Sequence, residues 1–454
     1  MIRFFSSASR LLAAPSIDRA ASVVSVPLPG GGTARFHGIW LRDHCLSSRH
    51  PLSSQRLLET HSLPLNLCPV SAAWEEAAGG GAPALALTWP GGHVSRFPAP
   101  WLQRHAYWVD GPPPPSLPPP PLGDPLSLWD ADPLRDTRAR VVWDGARFGP
   151  PSAPHGERPF PRVTHAEVAS ERGLLRALRA LRDFGFVLVE GVAPTEAATR
   201  AVCARFGYLR PTLYGRGMWR TEVRVPSSGA VTDTAFESIP LPLHTDGNYL
   251  VDLLGLQAFH CVVRDEGGGG ESLLMDGLAV AERLQARAPD AFTLLCAWPL
   301  RYHHTGGDGV MGAARPVFSL HEDGSVAGVH FNNDDRGPVL RVPDWAGAVA
   351  RAEALLGRGM TVAGALAHPA TAVPALYAAL KELGALLRDP SLTLRLPLHP
   401  GTVLVFDNTR TLHGREGFDA TSGRTLLGAY VGADDWHSKL RLLTRKLGAD
   451  KIDW

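Results

Sequence analysis

Two imidazoles and one carboxylate on one face of a metal, with open positions opposite, make a site for non-haem iron and oxygen chemistry. The trace of such a site in sequence is His-x-Asp/Glu with a second histidine far downstream. The 454-residue chain holds 18 histidines and 44 acidic residues, so roughly two His-x-acid matches are expected by chance. Four occur: His155/Glu157, His165/Glu167, His244/Asp246 and His321/Asp323. The last lies in HEDGS, turn chemistry between two strands, and reads as a solvated hairpin. The first two lie in or beside a proline-rich approach, with no strand to hold their side chains. In LPLHTDGNYL, by contrast, His244 and Asp246 stand at i and i+2 and point to the same side of an extended segment. Far downstream, VLVFDNTRTLHGREGF ends a buried strand and delivers His413. Eleven residues later Arg424 heads the apolar strand TLLGAY, where a fixed guanidinium can clasp a carboxylate bidentately, as a chelating keto acid requires.

These side chains need a rigid scaffold. Leu174, Leu175, Leu178 and Leu181 recur at helical spacing before Gly185, and FVLV (186–189) then reads as a buried strand. LLMD (273–276), VAGVHF (326–331), TVLVF (402–406) and LLGAY (426–430) are further short strands, separated by Gly and Pro turns. Such runs predict a mainly antiparallel double sheet with helices packed outside, rather than βαβ repeats. The GGGG at 267–270 lacks a following Lys-Ser or Lys-Thr and is no phosphate-binding loop. Upstream, residues 23–109 carry short alternating segments such as RFHGIWLRDHC and ALALTWPGGHVSRF, the pattern of a small β-rich domain. A linker follows at 111–125, where nine of residues 112–125 are proline and polyproline geometry prevails; a ligand for an SH3-type domain is the other reading of this stretch. The second domain is expected over 160–445. The first 17 residues carry Arg3, Arg10, several Ser and Ala and no acid, which is transit-peptide chemistry; mitochondrial import is the expectation, and a plastid leader, which looks similar, is the other reading.

Composition sets outer bounds. Lys plus Arg is 45 and Asp plus Glu 44, a formal charge of +1, so no global field seeks a nucleic acid or an anionic membrane. Five scattered cysteines suit a reducing compartment better than a secreted disulfide framework. Gly 47 and Pro 40 argue for many turns and against a helical bundle. No run of 18 apolar residues suggests a membrane span.

HTD (244–246), GGESLLMDG (269–277), FNND (331–334), FDNTRTLHGREGF (406–418) and GRTLLGAY (423–430) together resemble a family. It is that of the TauD-like iron(II), 2-oxoglutarate-dependent dioxygenases that hydroxylate gamma-butyrobetaine or trimethyllysine. WLRDHC (40–45) and TWPGGH (88–93) are similar to the family's N-terminal domain, and the likeness runs in the same order from about residue 35 to 445. The resemblance implies a fold that is mainly β with α, a double-stranded β-helix (jelly-roll) catalytic domain preceded by a small β-rich domain. It implies iron(II) on His244, Asp246 and His413, with 2-oxoglutarate as cosubstrate on Arg424 and Ser272, ascorbate as auxiliary reductant, O2 as co-reactant, and a homodimer in the mitochondrial matrix.

A quaternary ammonium has no N–H to donate and must be held by aromatic faces. By resemblance the cage maps onto Tyr214, Trp219, Phe236 and Tyr430. Two departures stand out: YGRGMW has one residue more between Tyr214 and Trp219 than is usual, and Phe236 replaces a Tyr. Asp233 falls where the trimethyllysine enzyme has Asp and the butyrobetaine enzyme Asn. A carboxylate there attracts an α-ammonium and repels a lone carboxylate; Asn332 completes the polar pocket. The expected reaction is C3 hydroxylation of free N6-trimethyllysine, the first step of carnitine biosynthesis. Gamma-butyrobetaine hydroxylation is the alternative. A catalytically dead binding module would lack at least one of His244, Asp246, His413 and Arg424, and all four are present. Where the family's N-terminal domain binds zinc through three cysteines and a histidine, this chain has Cys45, Ser47, His50 and His93, leaving Cys45, His50 and His93 as the zinc ligands to test.

Overall fold

A computed structural model describes residues 13–28, 32–49, 57–76, 82–111, 132–134, 139–149, 157–221, 237–264, 269–306, 309–338, 345–357, 369–419 and 424–448. The chain divides into two compact units, Met1–Asp132 and Pro133–Trp454. The greater part of the expected transit peptide and nearly all of the proline-rich segment lie outside the described residues.

The first unit contains β1 (Ser16–Asp18), β2 (Val23–Pro27), β3 (Thr33–His37), β4 (Ser71–Glu75), β5 (Ala84–Thr88), β6 (Val94–Pro98) and β7 (Val109–Asp110). They form a four-stranded sheet, β1-β2-β3-β7, and a three-stranded sheet, β4-β5-β6. Strand β1 overlaps the last residues of the expected leader and pairs Ile17 with Val24 of β2. Alternation places Val24, Val26, Phe36, Leu85, Leu87 and Phe97 in one core with Leu41 and Trp101, as a two-residue side-chain period requires.

The second unit carries the double sheet. Its strands are β8 (Arg162–Thr164), β9 (Phe186–Glu190), β10 (Trp219–Thr221), β11 (Leu241–His244), β12 (Leu254–Val263), β13 (Ser272–Asp276), β14 (Leu300–Gly306), β15 (Gly309–Arg315), β16 (Phe318–Leu320), β17 (Val326–Val329), β18 (Leu394–Leu396), β19 (Thr402–Asp407), β20 (Thr411–Arg415) and β21 (Thr425–Gly432). A six-stranded sheet, β10-β21-β12-β19-β9-β8, faces a four-stranded one, β11-β20-β13-β18; this is a jelly roll. All its pairings are antiparallel except β8 with β9.

The apolar runs FVLV and TVLVF are buried on both faces, which is why they lack polar alternation. Phe186, Leu188, Leu404 and Phe406 meet Leu274, Leu394 and Leu396 between the sheets. Their neighbours Val187, Val189, Val403 and Val405 point outward, under Leu174, Leu178, Leu181, Trp436 and Leu440 of two covering helices. One of these helices, Glu171–Phe184, starts where Ser170 Oγ accepts from the Gly173 N–H and stops at left-handed Gly185, φ 78°, a conformation that costs glycine little. The core of this unit starts upstream of residue 160, because Trp143 and Phe148 pack against Phe186 at 5.5 and 5.3 Å between ring centroids. The HEDGS turn joins β16 to β17, with Asp323 Oδ1 accepting from Ser325. Glu167 closes a capping box with Thr164, and His155 lies outside the described residues.

Candidate active site

Neighbouring strands bring the distant histidines together. His244 ends β11 and stands directly opposite His413 on β20, with ring centroids 4.3 Å apart. The β20 parity sends Leu412 outward, into the helix-covered core. His413 turns inward, where its ring lies 4.9 Å from Phe406 and 5.6 Å from Phe259. Asp246 Oδ1 is 3.2 Å from His244 Nε2, and Oδ2 is 3.7 Å from His413 Nε2. One donor atom from each of the three lies within 4.8 Å of the others, and among the described residues these are the only such group of His, Cys, Asp or Glu.

The orientation of each ligand is set from behind. His244 Nδ1 donates to the Pro242 carbonyl at 2.6 Å, which fixes the tautomer and turns Nε2 toward Asp246. The Asp246 backbone is clamped by Asn408: its N–H donates to Asn408 Oδ1 at 2.9 Å, and its carbonyl accepts from Asn408 Nδ2 at 3.0 Å. Asp246 Oδ2 accepts from Gln257 Nε2 at 2.7 Å and from the Tyr430 hydroxyl at 2.8 Å.

Burial disfavours a charged His244, but the hydrogen bond and charge of Asp246 outweigh it and push the imidazole up to about 9. Burial likewise disfavours the Asp246 carboxylate, yet the imidazoles and the Tyr430 hydroxyl hold it below the usual range. His413 is pulled down to about 3 by burial and by the positive charge of His244, so its ring is neutral. A carboxylate, a neutral imidazole and a second imidazole whose proton is shared with the carboxylate form a donor set that a divalent cation completes by displacing that proton. Two nitrogens and one oxygen suit iron(II).

The three residues line a cavity of about 260 Å³ together with Tyr214, Trp219, Ser272, Asn332, Arg424 and Tyr430. All of these were singled out by sequence. Burial pulls Arg424 down to about 10, leaving it a cation at neutral pH, and its guanidinium lies 5.5 Å over the Phe418 ring. The Trp219 ring stands 6.1 Å from Tyr214 and 5.8 Å from Tyr430, so the extra residue in YGRGMW does not remove it from the cavity. Asn332 Nδ2 donates to Asp335 Oδ2 at 2.9 Å, and its Oδ1 accepts from the Asp334 N–H at 2.9 Å. Asp233, Phe236 and His50 lie outside the described residues.

Sequence reasoning passed over several cavity residues: Gln257, Tyr249, His304, Asp335 and Arg415. Gln257 left a readable signal, being the polar side chain at an inward position of the otherwise apolar LGLQAF. Arg415 shares the parity of His413, two residues earlier on β20, and is 6% exposed.

In the first unit, Cys45 Sγ lies 3.0 Å from Ser47 Oγ and 3.4 Å from His93 Nε2. Burial opposes ionisation of Cys45, but hydrogen bonds from Ser47 and Ser95, aided by the charge of Arg42, outweigh it and lower the thiol. The described residues there supply one thiol, one imidazole and a neutral hydroxyl, short of a tetrahedral zinc set.

Residues 152–430 match the family described as taurine catabolism dioxygenase TauD, TfdA family. The chain is 31% identical to a trimethyllysine dioxygenase, mitochondrial, of Gallus gallus, over 90% of this chain and 83% of the relative. It is 29% identical to a trimethyllysine dioxygenase of Meyerozyma guilliermondii, over 92% and 93%. It is 27% identical to a gamma-butyrobetaine dioxygenase of Pseudomonas sp., over 94% of each. With a jelly roll around a two-histidine, one-carboxylate cavity and matches of this extent, the chain belongs to the TauD, TfdA dioxygenase family.

Proposed function

We propose that this protein hydroxylates free N6-trimethyllysine at C3, with iron(II) on His244, Asp246 and His413 and 2-oxoglutarate as cosubstrate. The observation that carries the reading is the division of one cavity into three chemistries. Imidazole and carboxylate donors sit beside aromatic faces at Tyr214, Trp219 and Tyr430, with the Arg424 guanidinium lining the same space. Bound iron, with 2-oxoglutarate and oxygen, supplies the oxidant that replaces a C–H by C–OH.

The chain's own residues do the selecting. Arg424 pairs with the distal carboxylate of the keto acid, and Ser272 offers it a hydroxyl. Tyr214, Trp219, Phe236 and Tyr430 present π faces to the trimethylammonium, on the order of 0.5–2 kcal/mol each. Asp233 and Asn332 receive the amino-acid end, and the distance between cage and metal decides which carbon faces the oxidant. The names of the relatives from Gallus gallus and Meyerozyma guilliermondii support this substrate; the Pseudomonas relative supports gamma-butyrobetaine as the second reading. Ascorbate as reductant, a homodimer and a mitochondrial matrix location complete the proposal on the strength of the resemblance. Zinc on Cys45, His50 and His93 belongs to it as well, and metal analysis showing iron without stoichiometric zinc removes that part.

Succinate release and product mass, measured with each betaine in turn, test the reading. Trimethyllysine should give coupled succinate and a product heavier by one oxygen. Faster coupled turnover of gamma-butyrobetaine overturns the substrate assignment. Asp233→Asn should shift preference toward gamma-butyrobetaine, and an unchanged preference removes Asp233 as the discriminator.

A further inference from the structure

We propose that Gln257 and Tyr430 are positioning residues for the metal: together they hold Asp246 by Oδ2, so that it ligates iron(II) through Oδ1 alone. This rests on the reading of His244, Asp246 and His413 as the iron site. Gln257 on β12 and Tyr430 on β21 are direct cross-strand partners. Their outward neighbours Ala258, Ala429 and Val431 pack under the helices, so both side chains face the cavity. They are 1% and 2% exposed. Gln257 Nε2 donates to Asp246 Oδ2 at 2.7 Å, the Tyr430 hydroxyl donates to the same oxygen at 2.8 Å, and Gln257 Nε2 lies 3.4 Å from the Tyr430 oxygen.

An ionised carboxylate only accepts, so the Gln257 amide must turn its nitrogen to Asp246. Among the described residues its Oε1 is then buried without a hydrogen-bonding partner. An apolar side chain would fill this position of β12 without leaving an unpaired carbonyl, and the arrangement therefore serves Asp246 rather than packing. The Asn408 clamp fixes the Asp246 backbone, leaving rotation of the side chain as its remaining freedom. Two donors on Oδ2 remove that freedom and draw charge to the oxygen they hold. Oδ1, 3.2 Å from His244 Nε2, is left for the metal. A carboxylate that ligated through both oxygens would occupy a coordination position that the keto acid and oxygen need.

Tyr430 also walls the cage through its ring, 5.8 Å from Trp219. The two roles separate chemically, since the ring serves the cation and the hydroxyl serves Asp246. Tyr430→Phe keeps the first and deletes the second. Gln257→Leu deletes the other donor, and Gln257→Glu sets a carboxylate against a carboxylate at nearly constant shape.

The experiment titrates iron(II) into the metal-free full-length protein without oxygen, then follows the visible charge-transfer band on adding 2-oxoglutarate. Coupled turnover and thermal unfolding are measured on the same preparations. Tyr430→Phe and Gln257→Leu should each raise the iron(II) Kd by about 10- to 100-fold and shift the band. Both should release succinate without matching hydroxylation. Gln257→Glu should bind iron least. Wild-type iron affinity and an unmoved band in both Tyr430→Phe and Gln257→Leu overturn the proposal while the iron site stands. Absence of iron binding by the wild-type protein overturns the iron site and this proposal with it.

Discussion

At the scale of single residues, the cavity is organised by which atoms can only donate and which can only accept. His244 donates its Nδ1 proton to a carbonyl, Asp246 Oδ2 takes two hydrogen bonds, and His413 is neutral; together they are a donor set that fits a divalent cation. His413→Ala should therefore abolish iron(II) binding in an anaerobic titration as well as turnover, and retained stoichiometric binding would show that the metal sits elsewhere. Arg424 stays a cation despite its burial. Arg424→Met should raise the 2-oxoglutarate KM by at least tenfold, from the loss of a charge-assisted pair of about 1.5–3 kcal/mol. Iron affinity should hold, which a calorimetric comparison would check. HTD, the distant histidine and Arg424 were legible in sequence because each is an unusual residue type beside a buried strand. Gln257 was not singled out, because a lone amide in a strand does not say what it faces.

At the scale of elements, β21 does most of the arranging. Its inward positions are Leu426, Gly428 and Tyr430, and the middle one has no side chain for a reason. Trp219 on β10 pairs with Gly428, and a Cβ at 428 would come within 2.2 Å of the indole ring. The glycine lets the indole lie across the strand and line the cavity. Gly428→Ala should tilt or expel Trp219, with an overpacking cost of about 1–3 kcal/mol. The expected result is a raised KM for the trimethylammonium substrate and a lower Tm with unaltered iron affinity; an unchanged KM would show that Trp219 lies outside the cage. Sequence periodicity identified the paired strands β9 and β19 of the same sheet, since FVLV and TVLVF are continuous apolar runs. It passed over β12, the ten-residue strand Leu254–Val263, because Gln257 and His260 interrupt its apolar text. Those polar residues are buried for local reasons: Gln257 bonds Asp246, and the His260 ring lies 2.7 Å from Thr199 Oγ1.

At the scale of the whole molecule, the fold carries buried imidazoles that must stay neutral. Burial pulls His260 and His330 down to about 4, while an unfolded histidine titrates near 6.5. Below that value the unfolded chain binds protons that the folded chain refuses, so stability falls as pH drops from about 6.5 toward 4. Each residue should contribute a loss of roughly 2 kcal/mol by pH 5. Tm should thus fall between pH 7 and 5, and the double variant His260→Asn, His330→Asn should show a shallower fall than wild type. Equal falls would place the acid sensitivity elsewhere.

What the sequence by itself determined was the chemistry available and the two-sheet architecture. Residue type sets which atoms can ligate or pair, and apolar runs with Gly and Pro between them specify strands buried on both faces. What only the tertiary structure decided was adjacency. His244 and His413 are 169 residues apart in the chain and meet because β11 and β20 pair with these two residues opposite each other, past a register shift between Leu241 and His244. Gln257 and Tyr430 reach Asp246 because β12 and β21 pair with these two residues opposite each other. Side-chain direction in a strand alternates with each residue, so a slip of one position would turn every one of these groups to the opposite face. Register is a property of paired strands, and no single segment of sequence contains it.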